Sequence, residues 1–270
     1  MTRSEQDVTR AISRRAWQSG ELHEAVDTVV AEVPVALVYN GVSHVVMMAT
    51  PSDLEDFALG FSLSEGILER PEQLLGLDIV PGEHGIEVQL EIASAPFAAL
   101  KAKRRNLTGR TGCGLCGAES LEQAVPEPRK VTTVLTVDAA AIQAALGAMQ
   151  AAQPLRSATG AVHGVAFCNA DGDIWLLRED VGRHNALDKV LGAMHRSGIP
   201  PTGFLLVSSR ASYEMVAKAA SANIPILAAV SAATSLAIEQ AEASRLTLLG
   251  MVRDGRQLVY THPERLGKLD

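Results

Sequence analysis

Two cysteines separated by two residues are the clearest chemical signal in the sequence. They are Cys113 and Cys116, in the segment GRTGCGLCG at residues 109–117, and the whole chain has 3 cysteines. A glycine-rich segment is flexible, so these thiols are poorly suited to packing in a core. A CxxC pair can bind a metal, form a disulfide or supply a nucleophilic thiolate.

Two of these uses fit the sequence poorly. A structural zinc site needs about four ligands, and the chain has no second CxxC or HxxxH pair. The remaining cysteine, Cys168, ends the apolar run GVAFC, which is typical of a buried strand rather than of a ligand. A thioredoxin-type pair stands at the start of a helix directly after a strand, whereas Cys113 and Cys116 lie between glycines.

The residues before the pair favour a nucleophilic thiolate. No acidic residue occurs between Glu91 and Glu119. The cations that precede Cys113 closely are Lys101, Lys103, Arg104, Arg105 and Arg110. Nearby positive charge lowers the pKa of a cysteine thiol and so favours the reactive thiolate. The alternative interpretation is a solvated basic loop, and the same charge would attract an anionic ligand or an acidic partner.

A second group of polar residues lies in REDVGRHNALDK, at residues 178–189, where a predicted strand is followed by a predicted helix. On such a helix His184 and Asp188 are one turn apart and share a face. Backbone N–H groups at a helix N-terminus bind anions. We interpret the group either as a charged helix start capped by Asp180, or as a site in which His184 and Asp180 serve cofactor placement or proton handling and not folding.

Small hydroxyl residues follow two further apolar runs, in VSSRASYEM at 207–215 and VSAATS at 230–235. Because parallel strands end at one edge of a sheet, we expect these residues to converge there, together with MVRDGR at 251–256. Hydroxyl groups, helix N-termini and an arginine would bind phosphate, whereas ordinary helix capping is the alternative. The expected group is Ser208, Ser209, Arg210, Ser212, Ser231, Thr234 and Ser235.

Composition limits the class of protein. Hydrophobic residues make up 47% of the chain, the net charge is −7 and the isoelectric point is about 5.5. This acidic balance gives no indication of binding to nucleic acid or to an anionic membrane. The N-terminal segment contains acids and no apolar run, and the run IPILAAV is too short to cross a bilayer. A cytoplasmic protein without a bound metal is therefore expected.

The pattern of apolar and polar residues predicts an α/β protein, α+β overall, with two domains. Residues 1–20 are polar and are predicted to be a flexible N-terminus. Residues 21–104 are predicted to form an N-terminal α+β domain with a hairpin turn at Asn40–Gly41. Residues 105–130 are predicted to be a linker loop that carries the CxxC pair. Residues 131–270 start with the strand-like run 131–137, and are predicted to form an α/β domain with parallel strands buried on both faces.

One enzyme class with a CxxC pair is not expected here. Zinc-dependent nucleobase deaminases carry H-x-E followed later by P-C-x-x-C. In this chain Gly112 replaces the proline, and His163 is followed by Gly164 and Val165 and comes after the cysteines. The order of elements in the C-terminal half is nevertheless compatible with the deaminase fold.

Taken together, the motifs resemble those of the formate dehydrogenase accessory sulfurtransferase family, FdhD. The sequence EDVGRHNALDK after a CxxC pair is highly specific. The chain departs mildly from the family pattern at Met251 and in TGAVH, at 159–163, where the family usually has TGG-H. The matching segments are LGFSLSEGI, GRTGCGLCG, ATGAVHGVAF, REDVGRHNALDKVLG, SSRASYEMVAKAA, IPILAAVSAATSLAIEQAE and MVRDGRQLVYTHPERL.

The resemblance implies a persulfide carrier. Such proteins take sulfur from a cysteine desulfurase and pass it to the bis-molybdopterin guanine dinucleotide cofactor, which goes on to formate dehydrogenase. By the same resemblance Cys113 forms the persulfide and Cys116 assists it. The resemblance further implies a homodimer, and a C-terminal three-layer domain like that of cytidine deaminase beside the smaller N-terminal domain.

A binding site for the molybdenum cofactor is also implied, and GDP-like fragments of the cofactor are expected to bind. The family's cofactor-binding stretch matches residues 251–256. The full predicted set is Met251, Val252, Arg253, Asp254, Gly255, Arg256, Ser208, Ser209, Arg210, Ser231, Thr234 and His184. Two other classes stay open. A non-catalytic cofactor chaperone would not need Cys113, and a dithiol oxidoreductase would need both cysteines equally.

Overall fold

The structure, a computed structural model, describes residues 7–105 and 128–267. The side chains of residues 103–105 are not described. Cys113, Cys116 and most of the predicted linker over 105–130 lie outside the described residues. The predictions made for the CxxC pair therefore stay predictions.

The first element is a two-stranded antiparallel hairpin. Strand β1 (Thr9–Gln18) pairs with β2 (Glu21–Val30) along their whole length, and Gly20 of the turn has a φ of 94°. The prediction of a flexible segment over 1–20 is wrong for β1. The residues of β1 are mostly polar, so the segment has no apolar pattern that would indicate a strand. Across the hairpin, Asp27 Oδ2 of β2 lies 3.0 Å from Arg14 Nε of β1.

A four-stranded sheet follows, with two helices packed on one face. Its order is β4-β3-β6-β5, and β3 runs parallel to β6 while the other pairs are antiparallel. The hairpin turn predicted at Asn40–Gly41 is confirmed, with φ values of 46° and 78° that favour this residue pair. The elements are β3 (Val33–Tyr39), β4 (Val42–Ala49), α1 (Leu54–Ser64), β5 (Leu74–Gly82), β6 (Gly85–Ile92) and α2 (Ser94–Arg105), with a 3-10 turn at Pro71–Gln73.

The second half of the chain forms a six-stranded sheet of order β12-β11-β10-β9-β7-β8. The three neighbours β9, β10 and β11 are parallel, and the remaining pairs are antiparallel. The strands are β7 (His163–Cys168), β8 (Ile174–Asp180), β9 (Phe204–Val207), β10 (Ile226–Ala229), β11 (Thr247–Arg253) and β12 (Arg256–Val259). The helices are α3 (Ala139–Ala151), α4 (Pro154–Thr159), α5 (Arg183–Arg196), α6 (Tyr213–Ser221) and α7 (Ser235–Ser244), with a 3-10 turn at Pro263–Arg265.

Helices cover both faces of this sheet, as the continuous apolar runs predicted. On one face of the sheet, strand residues such as Leu206 pack against α3. On the other face, the residues that alternate with them, such as Leu205, pack against α5, α6 and α7. The mixed α/β class is thereby confirmed, whereas the likeness to cytidine deaminase and the domain boundaries stay predictions. The strand predicted over 131–137 is wrong, because only Val137 forms an isolated bridge, to Leu266, and Val134 is 91% exposed.

The two sheets are joined by a close crossing of α1 over α5. Gly60 of α1 faces the backbone of Asp188, and Gly192 of α5 faces the backbone of Asp56. A Cβ atom at either glycine would overlap the carbonyl oxygen opposite. The absence of both side chains is therefore what permits this approach of the helices. No helix in the described part of the chain is long and apolar enough to cross a membrane.

Candidate functional site

One edge of the six-stranded sheet gathers the strand ends that the sequence singled out. Strand β7 begins beside the end of β9, where Ser208 N donates to Gly164 O and Gly164 N donates to Ser208 Oγ, both at 2.9 Å. The next strand end is joined to it, because Ser231 N donates to Ser209 O at 3.4 Å. Met251 N in turn donates to Ser231 O at 3.0 Å. Segments 208–212, 230–235 and the middle of β11 therefore form one continuous edge.

Several predicted residues at this edge have structural contacts of their own. Thr234 caps α7, and its Oγ1 accepts a hydrogen bond from Ala237 N at 3.3 Å, as the capping interpretation expects. Ser209 is buried and its hydroxyl donates to the carbonyl oxygen of Arg210, whose side chain is exposed. Met251 has a φ of 51°, within a bulge of β11. A non-glycine residue in this region is uncommon and is often found at functional sites.

The remainder of MVRDGR turns away toward α3. Gly255 N donates to Gln143 Oε1 at 3.2 Å, and Gln143 Nε2 donates to the carbonyl oxygen of Arg256 at 3.4 Å. Val252 is buried in the core, whereas Arg253 is exposed. Among the contacts described, none joins residues 252–256 to Ser208, Ser209 or Arg210. The described hydrogen bonds thus bring Met251 to the edge and hold the hairpin tip against α3.

Asp180 is the centre of a buried ion pair. Its Oδ2 lies 2.7 Å from Lys189 Nζ, and neither side chain is exposed. The same carboxylate accepts from Thr50 N at 3.0 Å and from Asn185 Nδ2 at 2.9 Å, and Lys189 Nζ also donates to Thr50 O at 3.1 Å. Asp180 therefore ties the end of β8 to α5 and to the N-terminal region. These contacts favour the interpretation of Asp180 as a structural residue, and its role in cofactor placement stays a prediction.

A second buried pair joins α5 to α6. Lys218 Nζ lies 3.0 Å from Asp188 Oδ2 and 2.7 Å from Glu65 Oε1, and Ser64 Oγ donates to Asp188 Oδ1 at 2.7 Å. Burial raises the pKa of Asp188 despite the neighbouring ammonium group. Burial alone would lower the pKa of Lys218, but Asp188 and Glu65 outweigh it and raise that pKa. Both groups hold the α1–α5 crossing.

The other charged residues of REDVGRHNALDK are also structural. Asp56 of α1 accepts from Arg178 Nη2 at 2.8 Å and from Arg196 Nη1 at 2.7 Å. The Glu179 carboxylate accepts hydrogen bonds from Leu155 N at 2.9 Å and from Arg156 N at 2.8 Å, and so caps the N-terminus of the short helix α4. Arg178, Asp180, Asp188 and Lys189 of the motif therefore join the second half of the chain to the first, and we call these four residues the clamp. The two remaining polar residues, Arg183 and His184, lie at the sheet edge.

At that edge His184 Nε2 lies 2.6 Å from Glu214 Oε2 of α6. The contact with His184 lowers the pKa of Glu214. Within the part of the chain that the structure describes, His163 Nδ1, Arg183 Nε and Ser212 Oγ are buried atoms without a hydrogen-bond partner. Burial lowers the pKa of His163, and the positive charges of Arg183 and Arg156 add to this.

These groups are suited to an anion rather than to a metal ion. Buried donors without partners are costly, so they indicate a ligand that accepts hydrogen bonds. Residues 7–105 and 128–267 contain no group of three His, Cys, Asp or Glu side chains that could hold a metal ion. The sequence interpretation placed Arg183 in the polar group at the start of α5 without giving it a role, and considered His163 only against the deaminase motif. The available signal was their position, one at a strand start and one at a helix start of the same edge.

Comparison with known proteins decides the family. The model of the FdhD/NarQ family matches residues 30–267. The chain belongs to this family. A protein of Cupriavidus necator named sulfur carrier protein FdhD is 56% identical over 259 residues, which are 96% of this chain and 89% of that protein. A protein of the same name from Bordetella petrii is 54% identical over 241 residues, with 89% of this chain and 87% of the relative covered.

The fold of this FdhD/NarQ chain also matches a solved structure. That crystal structure, from Desulfotalea psychrophila, is described as a candidate formate dehydrogenase accessory protein. The TM-score is 0.74 at 24% identity, with 96% of this chain and 99% of the other covered. At this identity the likeness supports the mixed α/β fold alone.

Proposed function

We propose that this FdhD/NarQ protein is a sulfur carrier in the maturation of formate dehydrogenase. The observation that carries the proposal is the family match over residues 30–267, with relatives named sulfur carrier protein FdhD at 56% and 54% identity. The sequence supplies a suitable sulfur-bearing group in Cys113 and Cys116, which follow a run of cations. Positive charge favours the thiolate that such chemistry requires.

In the proposed reaction Cys113 Sγ receives a sulfur atom from a cysteine desulfurase and becomes a persulfide. Release of that outer sulfur as hydrosulfide requires an electron pair. The thiolate of Cys116 supplies it by attacking Cys113 Sγ, which forms the Cys113–Cys116 disulfide and expels the outer sulfur with its proton. A reductant of the thiol class then restores both cysteines. The thiols must be reduced to begin the cycle, so the proposed location is the cytoplasm.

The proposed sulfur acceptor is the bis-molybdopterin guanine dinucleotide cofactor, bound as a substrate. The unpartnered buried donors at the sheet edge support an anionic ligand there. The residues proposed to contact the cofactor are Met251, Val252, Arg253, Asp254, Gly255, Arg256, Ser208, Ser209, Arg210, Ser231, Thr234 and His184. The proposed partners are a cysteine desulfurase, formate dehydrogenase and a second copy of this chain.

A second candidate function is a non-catalytic chaperone that binds and protects the cofactor. The sheet edge favours it, because its donors would bind an anion without any contribution from a cysteine. The two functions differ in their need for Cys113. A carrier loses its cargo when this thiol is removed, whereas a chaperone keeps its full effect.

The test is mass spectrometry of the intact protein after incubation with a cysteine desulfurase and free cysteine. The carrier function predicts that the wild-type protein gains the mass of one sulfur atom and that Cys113→Ala does not. Cys168→Ala is the matched control, because Cys168 is fully buried and burial raises the pKa of its thiol to about 12. If Cys113→Ala still activates formate dehydrogenase at the normal level, the chaperone function replaces the carrier function.

A further inference from the structure

We propose that His163, Arg183 and Ser212 form a subsite that binds one phosphoryl group at the edge of the six-stranded sheet. Ser212 belongs to the hydroxyl group that the sequence expected to bind phosphate, whereas His163 and Arg183 belong neither to that group nor to the predicted cofactor-binding set. The inference deepens the proposed function, since it names the part of an anionic ligand that this edge would hold. The proposed function enters this inference at one point only, which is the choice of GDP as a probe.

The subsite lies between the N-termini of two helices. Gly182 precedes α5, and its N–H donates to Asp180 Oδ1 at 2.8 Å. Ser212 precedes α6 and makes no side-chain hydrogen bond to that helix. Ser212 is only 7% exposed, and its Oγ, which would normally cap α6, has no partner in the described structure. A buried hydroxyl at a helix start that does not cap that helix indicates a missing acceptor.

His163 and Arg183 add two further buried nitrogen atoms that have no partner among the described residues. His163 precedes Gly164, which donates its N–H to Ser208 Oγ and accepts a hydrogen bond from Ser208 N. His163 therefore lies beside the first residue of segment 208–212, which ends at Ser212. His163 pairs across the sheet with Asp180 at the end of β8, and Arg183 follows Asp180 by three residues at the start of α5. The Nε of Arg183 and the Nδ1 of His163 have no hydrogen-bond partner among the described residues. The start of β7 and the N-termini of α5 and α6 thus each carry one hydrogen-bonding atom without a partner in the described structure, and the contact of His184 with Glu214 joins the two helix starts.

Positive charge acts on His163 from two arginines, Arg183 and Arg156, while His184 and Asp180 also act on it. The carboxylates nearby are engaged, because Asp180 binds Lys189, Glu214 contacts His184 and Glu179 accepts hydrogen bonds from the first N–H groups of α4. The two helix N-termini add partial positive charge. A metal ion would be repelled, whereas a phosphoryl group accepts several hydrogen bonds at once.

The experiment is calorimetric titration with pyrophosphate, GDP and guanosine. Wild-type protein should bind pyrophosphate and GDP, and Arg183→Gln should weaken both about tenfold or more without changing any binding of guanosine. Ser212→Ala should weaken the same two ligands by a smaller factor. Arg245→Gln is the matched control, because Arg245 is exposed and follows the C-terminus of α7, and it should bind like the wild type.

A second measurement uses the wild-type protein alone. A bound anion favours the protonated imidazole, so NMR titration of His163 should show a higher pKa in the presence of saturating pyrophosphate than in its absence. This readout keeps the proposal testable even if Arg183→Gln fails to fold. An unchanged His163 pKa at saturation, or unchanged pyrophosphate binding in folded Arg183→Gln, overturns the subsite.

The outcomes separate the subsite from the proposed function. Pyrophosphate binding that depends on Arg183, with no additional affinity for GDP, supports the subsite and counts against a guanine nucleotide as the ligand. GDP binding that is indifferent to Arg183, His163 and Ser212 overturns the subsite and leaves the proposed function standing. The absence of any phosphoryl binding by folded wild-type protein at millimolar ligand overturns the subsite directly.

Discussion

The carboxylate of Asp180 and the ammonium group of Lys189 lie 2.7 Å apart with neither side chain exposed to solvent. Both also bind Thr50, whose backbone N donates to Asp180 and whose carbonyl oxygen accepts from Lys189. One residue of the N-terminal region thus satisfies both members of the pair. Removal of either member leaves a buried charge without its counterion, which is far more destabilising than loss of an exposed pair.

We therefore expect Lys189→Met to lower the free energy of unfolding by about 3–5 kcal/mol. Asp180→Asn should also destabilise the protein, and the double variant should lose less than the sum of the two, because the partners depend on each other. Urea denaturation followed by circular dichroism measures these values. Asp171→Asn, at an exposed turn, is the control and should change little. Normal stability of Asp180→Asn together with lost cofactor binding would restore the functional interpretation of Asp180.

The α1–α5 crossing makes a second prediction. Gly60→Ala and Gly192→Ala each place a Cβ onto the carbonyl oxygen of the facing helix, so the helices must move apart. We expect a loss of about 1–3 kcal/mol or more for each variant, measured as a shift of the urea midpoint. Gly147→Ala in α3 is the matched control, since nothing lies within 4 Å of its added Cβ. It should stabilise the protein by up to about 1 kcal/mol.

The sequence predicted those features that depend on neighbours in the chain. The Asn40–Gly41 turn and the apolar strands of the six-stranded sheet were identified correctly, because φ preferences and apolar runs are local signals. The partner Thr50 of Asp180 was not, since it lies 130 residues away. The same applies to the hairpin tip at Gly255, which binds Gln143 at a separation of 112 residues. Long-range partners of polar groups leave no pattern in a single sequence.

His184 makes a third prediction, because its contact with Glu214 is partly open to solvent. The two side chains are 27% and 37% exposed, so their ion pair contributes little to stability. His184→Ala should therefore keep a melting temperature close to that of the wild type and lose the ability to activate formate dehydrogenase. Thermal unfolding and an activation assay on the same preparation measure the two properties. A large fall in melting temperature would instead assign His184 to the clamp.

The last prediction concerns acid. Burial lowers the pKa of both His163 and His195 below the ordinary value of 6.5. As the pH falls through about 6.5, the unfolded chain takes up protons at these histidines before the folded chain does. The unfolded state then binds more protons, so the free energy of unfolding should decrease from about pH 7.5 to pH 5.5. Urea midpoints across this range measure the decline. His163→Gln, which removes the less exposed of the two histidines, should show a shallower slope than the wild type, and equal slopes in the two proteins would contradict the prediction.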